Sequence, residues 1–396
     1  MSKTHGVALF ALIALSGFYW CGANAAVGDG SSPALASRTD ESMRHEVGHA
    51  IGKGLAWLKG VQNEDGSWSQ PEYPALTGLV LTAFMSEPSG EYRRGQHAFI
   101  DKGYEYLKRC VQPDGGIYVK ELPNYNTAVC AVAFQVAGKP EYEAILRNAR
   151  TYLAGLQRDT GEKGKQDDPF DGGLGYGSSS PRPDLSNTVL SLEALYYTRH
   201  LKQDTGENAQ MMKDLDWSAL LTFIQRCQHL PEYNDQPWVS SDPANRGGFV
   251  YSPGESKAGE EEQQGRTALR AYGSMSYAGL LSYIYADMPP DDPRVTAVLE
   301  WLRRNFTLEE NPGMGPQGLF YYYQTMAKAL ALAGVNEFEL ADGKRINWRK
   351  ELAMRLINLQ SGNGMWANEN GRWWEKDPAL VTSYSLLALE IIHRGL

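Results

Sequence analysis

The sequence predicts an all-α protein, an α/α toroid of about six inner and six outer helices built from repeated helix pairs. Three observations lead there. A short pattern recurs six times along the 396 residues: an apolar helical run, usually a Gln near its end, a Gly turn and, in most copies, an aromatic. A second helical run follows each copy. The first runs are amphipathic and the second are apolar nearly all round, so the first face solvent and the second lie inside. A helix pair of this kind cannot bury its apolar face alone and must stack on neighbours, in an open solenoid or a closed ring, and six inner with six outer helices favour the ring.

The first copy is the clearest. Val47, Ile51, Leu55, Leu58 and Val61 recur at spacings of three and four, which builds one apolar face. The helix ends at Gln62-Asn-Glu-Asp-Gly-Ser-Trp68, where Gly66 tolerates a left-handed backbone. The shape returns at Gln112 with Asp114-Gly-Gly-Ile-Tyr118 and at Gln157 with Asp171-Gly-Gly-Leu-Gly-Tyr176. It returns again at Gln228 with Gly247-Gly-Phe-Val-Tyr251, at Gly313-Met-Gly315, and at Gln360 with Asn363-Gly-Met-Trp366.

The second helices repeat too. Thr77, Thr127, Thr188 and Thr382 each precede an Ala by six residues, namely Ala83, Ala133, Ala194 and Ala388. Tyr323 replaces Thr in the fifth unit, and the fourth fits loosely, from Tyr272 to Ala278. A Thr near a helix start is expected to satisfy free N–H groups, and the small Ala permits close packing.

Composition bounds the function. With 42% hydrophobic and 21% charged residues the chain has material for a large core. A net charge of −9 without a basic block argues against nucleic acid or an anionic membrane surface as partner. Residues 1–25 read as a signal peptide. Val7 to Leu15 is apolar, and Ala23-Asn24-Ala25 is a cleavage site leaving Ala26 first. The product would be periplasmic or extracellular, without a membrane span. A lipoprotein through Cys21 is disfavoured by the bulky Phe18-Tyr19-Trp20 before it. Residues 26–39 read as a disordered lead-in and 40–396 as the toroid. Cys110, Cys130 and Cys227 then remain, an odd number at irregular spacing that is no disulfide framework.

The recurring Gln, Asp-Gly and Trp, as in Gln62…Asp65-Gly66-Ser67-Trp68, resemble the repeat of the squalene cyclase and protein prenyltransferase superfamily over roughly residues 45–396. The resemblance implies an α/α toroid in which Gln and Trp tie each outer helix end to its neighbour. It also implies a central cavity for an apolar, isoprenoid-like molecule. The family's chemistry does not carry over. Its cyclases protonate an alkene with a DxDD motif before Thr. Here the matching places read Pro123-Asn-Tyr-Asn-Thr127 and Asp184-Leu-Ser-Asn-Thr188, and Ser186 stands where the proton donor would be. The zinc set of its prenyltransferases has only Cys227 and His229 as counterpart, and the Gly-Cys-Gly-Glu-Gln of toroidal thioester domains is missing.

Other motifs read more plainly. His45-Glu-Val-Gly-His49 matches HExxH, but both His point away from Val47 and Ile51, toward solvent. Asp167, Asp168 and Asp171 form an acidic loop, read first as solvated and otherwise as paired carboxylates for sugar or a calcium site. Glu260 to Glu262 read as a solvated run, and the long loop 231–266 as a lid over the toroid mouth. No metal or cofactor is expected. The catalytic candidates are Asp184 and Asp377, with an N-cap as the plainer role for Asp184. The cavity candidates are Arg266, Tyr272, Tyr277, Tyr322, Tyr323, Trp373 and Trp374, rings that suit sugars or carbocations as well as core packing. The readings left open are a toroid binding or transforming an isoprenoid-like ligand, a non-catalytic extracytoplasmic binding or scaffold module, and a carbohydrate-processing toroid.

Overall fold

The computed structural model describes residues 33–177, 182–203, 214–263, 265–340 and 343–396. The signal-peptide reading for 1–25 lies outside them. The stretch read as a disordered lead-in differs where it is described, because the first helix begins at Pro33.

Six outer helices alternate with six inner ones. The outer helices are α1 (Pro33–Gly60), α4 (Ala98–Arg109), α6 (Glu143–Gly155), α8 (Trp217–Gln225), α10 (Pro293–Arg304) and α12 (Trp348–Leu359). The inner helices are α2 (Pro74–Ser86), α5 (Pro123–Ala137), α7 (Leu185–Tyr197), α9 (Gly273–Tyr285), α11 (Leu319–Leu332) and α13 (Pro378–Gly395), and one short turn, α3 (Glu91–Arg94), follows α2. Burial separates the layers as the periodicity predicts. In α2 every residue from Pro74 to Met85 is buried, whereas α4 buries one face carrying Ile100, Gly103, Tyr104, Tyr106 and Leu107. The inner helices contact one another in the order α2, α5, α7, α9, α11, α13, and α13 packs back on α2. The ring is closed, and the chain is an α/α toroid.

Two antiparallel hairpins decorate the ring. Strand β1 (Glu260–Gln263) pairs with β2 (Arg266–Leu269), and β3 (Glu337–Glu339) pairs with β4 (Arg345–Asn347).

The recurring residues hold the ring together. Gln62 Nε2 donates to Gly66 O of its own turn and to Phe99 O of the next outer helix, both at 2.9 Å. Gln157 does the same to Gly172 O and Asp216 O, and Gln228 to Gly247 O and Arg294 O. Gln112 departs, turning to Cys110 O and Tyr118 O of its own turn. The Gly of each turn has a second reason to be Gly. Gly66, Gly115, Gly172, Gly247 and Gly364 all have φ between +90° and +99°, and a Cβ there would sit 2.1–2.8 Å from a carbonyl oxygen of the neighbouring outer helix. Trp68 and Trp366 donate their indole N–H to Leu58 O and Leu356 O, each at 2.7 Å, pinning the turn to the outer helix before it.

The helix-start Thr residues act differently from expectation. Thr77, Thr127, Thr188 and Thr382 accept from the backbone N–H of Trp68, Ile117, Leu174 and Trp366 in the preceding turns, not from their own helices. In the fourth unit Ser276 does this for Phe249 N, which explains the loose sequence match there. Cys110, Cys130 and Cys227 are free and buried. No helix among the described residues is long and apolar enough to cross a membrane.

Candidate functional site

Several inner-helix residues away from the C-terminal ends keep partial exposure, among them Tyr125 on α5, Ser186 and Leu190 on α7, Tyr321 on α11, and Tyr384 and Leu387 on α13. Spacings of three or four put Ser186 with Leu190, and Tyr384 with Leu387, on one face of each helix. Tyr125, Leu190, Tyr384 and Leu387 pack on a small apolar cluster of Ala75, Leu76, Leu79, Val129 and Leu380, separate from the main core. The Tyr125 and Tyr384 hydroxyls face each other across α2, and the Tyr321 and Tyr384 rings lie 5.9 Å apart. Burial pushes the Tyr125 phenol up to about 12 and those of Tyr321 and Tyr384 above their ordinary value, so these three side chains are uncharged at neutral pH.

An ion pair lies further along the same helices. Lys328 on α11 meets Glu193 on α7 at 2.6 Å, reaching past the intervening α9. Each partner lies seven residues beyond Tyr321 or Ser186, which is about 10 Å along the helix.

Asp184 stands at the mouth as the N-cap of α7. Its carboxylate accepts from Asn187 N at 2.9 Å, Asn187 Nδ2 at 2.7 Å and the Ser186 hydroxyl at 2.6 Å, with Tyr176 and Tyr251 beside it. Burial raises its pKa, and these hydrogen bonds lower it only in part. The result is a weaker acid than an ordinary Asp, with its carboxylate engaged by the cap of α7. Tyr272 is buried just before α9, close to Asp184 and Tyr321. Sequence reasoning missed a second mouth carboxylate. Glu375 is buried and accepts from Tyr321 N at 2.8 Å and Asn368 Nδ2 at 2.7 Å, capping α11 from the next unit, and no motif marks it.

The other candidates are dispersed. Asp377 caps α13, accepting from Ala379 N and Leu380 N and from the Ser69 hydroxyl. It lines a separate open groove of about 580 Å³ where the last unit meets the first. Trp374 lines the same groove and packs on Tyr73 at 4.4 Å, and Trp373 is exposed beside it. Tyr322 and Tyr323 turn to Thr307 O and Leu308 O after α10, and Tyr277 packs on Tyr322 at 5.6 Å. These three belong to the packing between layers. Arg266 is exposed at the start of β2.

The remaining motifs have structural partners. His45 and His49 are exposed, and no group of His, Cys, Asp and Glu suited to a metal occurs among the described residues. His229 is buried against Trp238 and accepts from Ser240 N, and burial lowers its pKa to about 4. Asp171 accepts from Thr160 N and Asp168 N, which organises the acidic loop from within.

No protein-family model matches the chain, and no curated protein matches its sequence. Solved structures do share its fold. Type II terpene cyclase MstE from Scytonema, in complex with its substrate geranylgeranyl dihydroxybenzoate, is 12% identical with a TM-score of 0.54, covering 90% of this chain and 100% of that one. The same enzyme without ligand is also 12% identical, with a TM-score of 0.53 over 89% and 99%. The α-1,6-mannanase GH76A of Salegentibacter sp. HEL1_6, as an inactive variant with α-1,6-mannotriose, is 14% identical with a TM-score of 0.52 over 88% and 98%.

Proposed function

We propose that this chain is a ligand-binding toroid whose tyrosine-lined chamber takes up an apolar, isoprenoid-like molecule without cyclising or prenylating it. The observation that carries the reading is the chamber wall: tyrosines from α5, α11 and α13 with Leu190 and Leu387, over an apolar cluster, with an ion pair further along the same helices. An uncharged aromatic and aliphatic lining favours an apolar chain, and the phenols at the mouth offer hydrogen bonds to one polar end. The reading without cyclisation rests on Asp184, whose carboxylate is occupied by the cap of α7. The likeness to a terpene cyclase supports the fold and adds an analogy for the ligand. With residues 1–25 removed as a signal peptide, the protein acts outside the cytoplasm.

A second reading, a binding or scaffold module that works through its surface, draws support from the Lys328–Glu193 pair crossing the centre. Mass spectrometry of an organic extract of the purified protein separates the two. About one isoprenoid per chain is the expected result. An empty extract, with no uptake of added farnesol, overturns the proposal in favour of the scaffold.

A further inference from the structure

The groove at the ring-closing seam is not part of the chamber. It is formed by the end of α1 (Trp57, Val61), the first turn (Asn63, Ser69, Gln70) and the approach to α13 (Trp374, Lys376). Val61 and Trp374 are two of the few large apolar side chains exposed among the described residues, at 39% and 36%.

Strain concentrates here. Five non-glycine residues have positive φ among those described; Ser69 at 58° and Trp374 at 64° line this groove, and Trp373 at 54° precedes Trp374. Such conformations are strained and persist where the surroundings impose them, often at ligand clamps. Here they hold Trp374 against Tyr73 with its indole partly uncovered.

The polar lining is of two kinds. Asp377 and Ser69 are engaged with each other, and Asp377 also with the N-terminus of α13. The side chains of Gln70 and Lys376 are exposed and make no hydrogen bond or ion pair with the described residues, and Asn63 donates to Ser67 and Ser69 while its Oδ1 accepts from none of the described residues. Two indoles are thus interleaved with an amide, an ammonium and an acceptor oxygen, all unengaged.

We infer that this groove is a carbohydrate-binding subsite, with a short oligosaccharide laid across Trp374 and Trp57. A pyranose has an apolar C–H face that packs on an indole and a rim of hydroxyls that both donate and accept. Asn63 Oδ1 and the Gln70 amide match that rim, and Lys376 donates to it. A wholly apolar ligand would leave these polar ends desolvated and unpaired, which disfavours it. The inference is independent of the chamber reading, because the two sites share no lining residue.

Indole N–H signals in NMR spectra of the full chain test it, with cellotriose, maltotriose and α-1,6-mannotriose added separately at millimolar concentration. At least one sugar is expected to shift the Trp57 and Trp374 signals while the buried Trp68 and Trp366 stay still. Trp374→Ala and Gln70→Ala are each expected to weaken that binding about tenfold. Gln70→Ala alters an exposed side chain, so it keeps the test decisive even where Trp374→Ala unfolds. No shift with any of the sugars, or shifts that survive Gln70→Ala with unchanged affinity, overturns the inference.

Discussion

Gln360, at the end of the last outer helix, donates its side-chain N–H to the carbonyl oxygen of Ala50 in the first, at 2.9 Å. The same nitrogen reaches Gly364 O at 2.9 Å. Gln360 and Ala50 are 310 positions apart, and their bond helps turn a row of helix pairs into a ring. Gln360→Ala leaves two carbonyls without their donor, each worth about 0.5–1.5 kcal/mol. Urea unfolding should show a loss of about 1–3 kcal/mol, against nearly none for Gln70→Ala, whose side chain touches no partner.

Gly364 makes a sharper case. Its φ is +99°, and a Cβ there would lie 2.5 Å from Lys53 O. Gly364→Ala should destabilise the protein by about 2–4 kcal/mol through backbone strain and a clash that only helix displacement relieves. Gly362 lies two residues earlier, where an added methyl would meet nothing within 4 Å and φ is not positive. Gly362→Ala should stay within about 0.5 kcal/mol of the parent in the same assay.

The Lys328–Glu193 ion pair makes a two-step prediction. Lys328 and Glu193 keep only 15% and 10% of their side-chain surface exposed. Lys328→Met alone strands a largely buried carboxylate and should cost about 3–5 kcal/mol. Adding Glu193→Leu should recover most of that loss, because a packed apolar pair replaces the ion pair at little net cost. Chemical denaturation of both variants checks it.

Glu390 on α13 is fully buried, and neither carboxylate oxygen has a hydrogen-bond partner among the described residues. Burial pushes its pKa well up; of the charged groups nearby, Arg394 and Arg93 oppose the shift and Glu87 adds to it. The folded state therefore keeps a proton that the unfolded chain releases above a pKa of about 4.3. Its contribution to stability is complete in acid and declines as pH rises toward the folded pKa. Glu390→Gln should have a Tm close to the parent at low pH and a growing advantage toward neutral pH. A constant difference across the range would contradict this.

The closed ring was legible because its causes are local and repeated. Gln, Gly and aromatic recur in the same order in most copies, and a helix apolar nearly all round belongs inside. The site was less legible because it depends on which way each ring points. Tyr321, Tyr322 and Tyr323 are consecutive, and only Tyr321 faces the chamber; its neighbours bond to loop carbonyls after α10. Tyr125 and Tyr384, the chamber's other rings, sit alone in their helices, where no cluster drew attention to them. Asp184 and Asp377 share a local role as N-caps, which the sequence suggested for the first, yet lie in two different sites.

The uptake of an apolar chain by the tyrosine chamber is tested most directly by calorimetric titration of farnesol into the parent protein and into Leu190→Trp, which fills the chamber from its wall. The parent should bind with a micromolar Kd, and the filled variant at least about tenfold more weakly with its helix content intact. Absence of binding by the parent, or equal affinity in both proteins, would contradict the account.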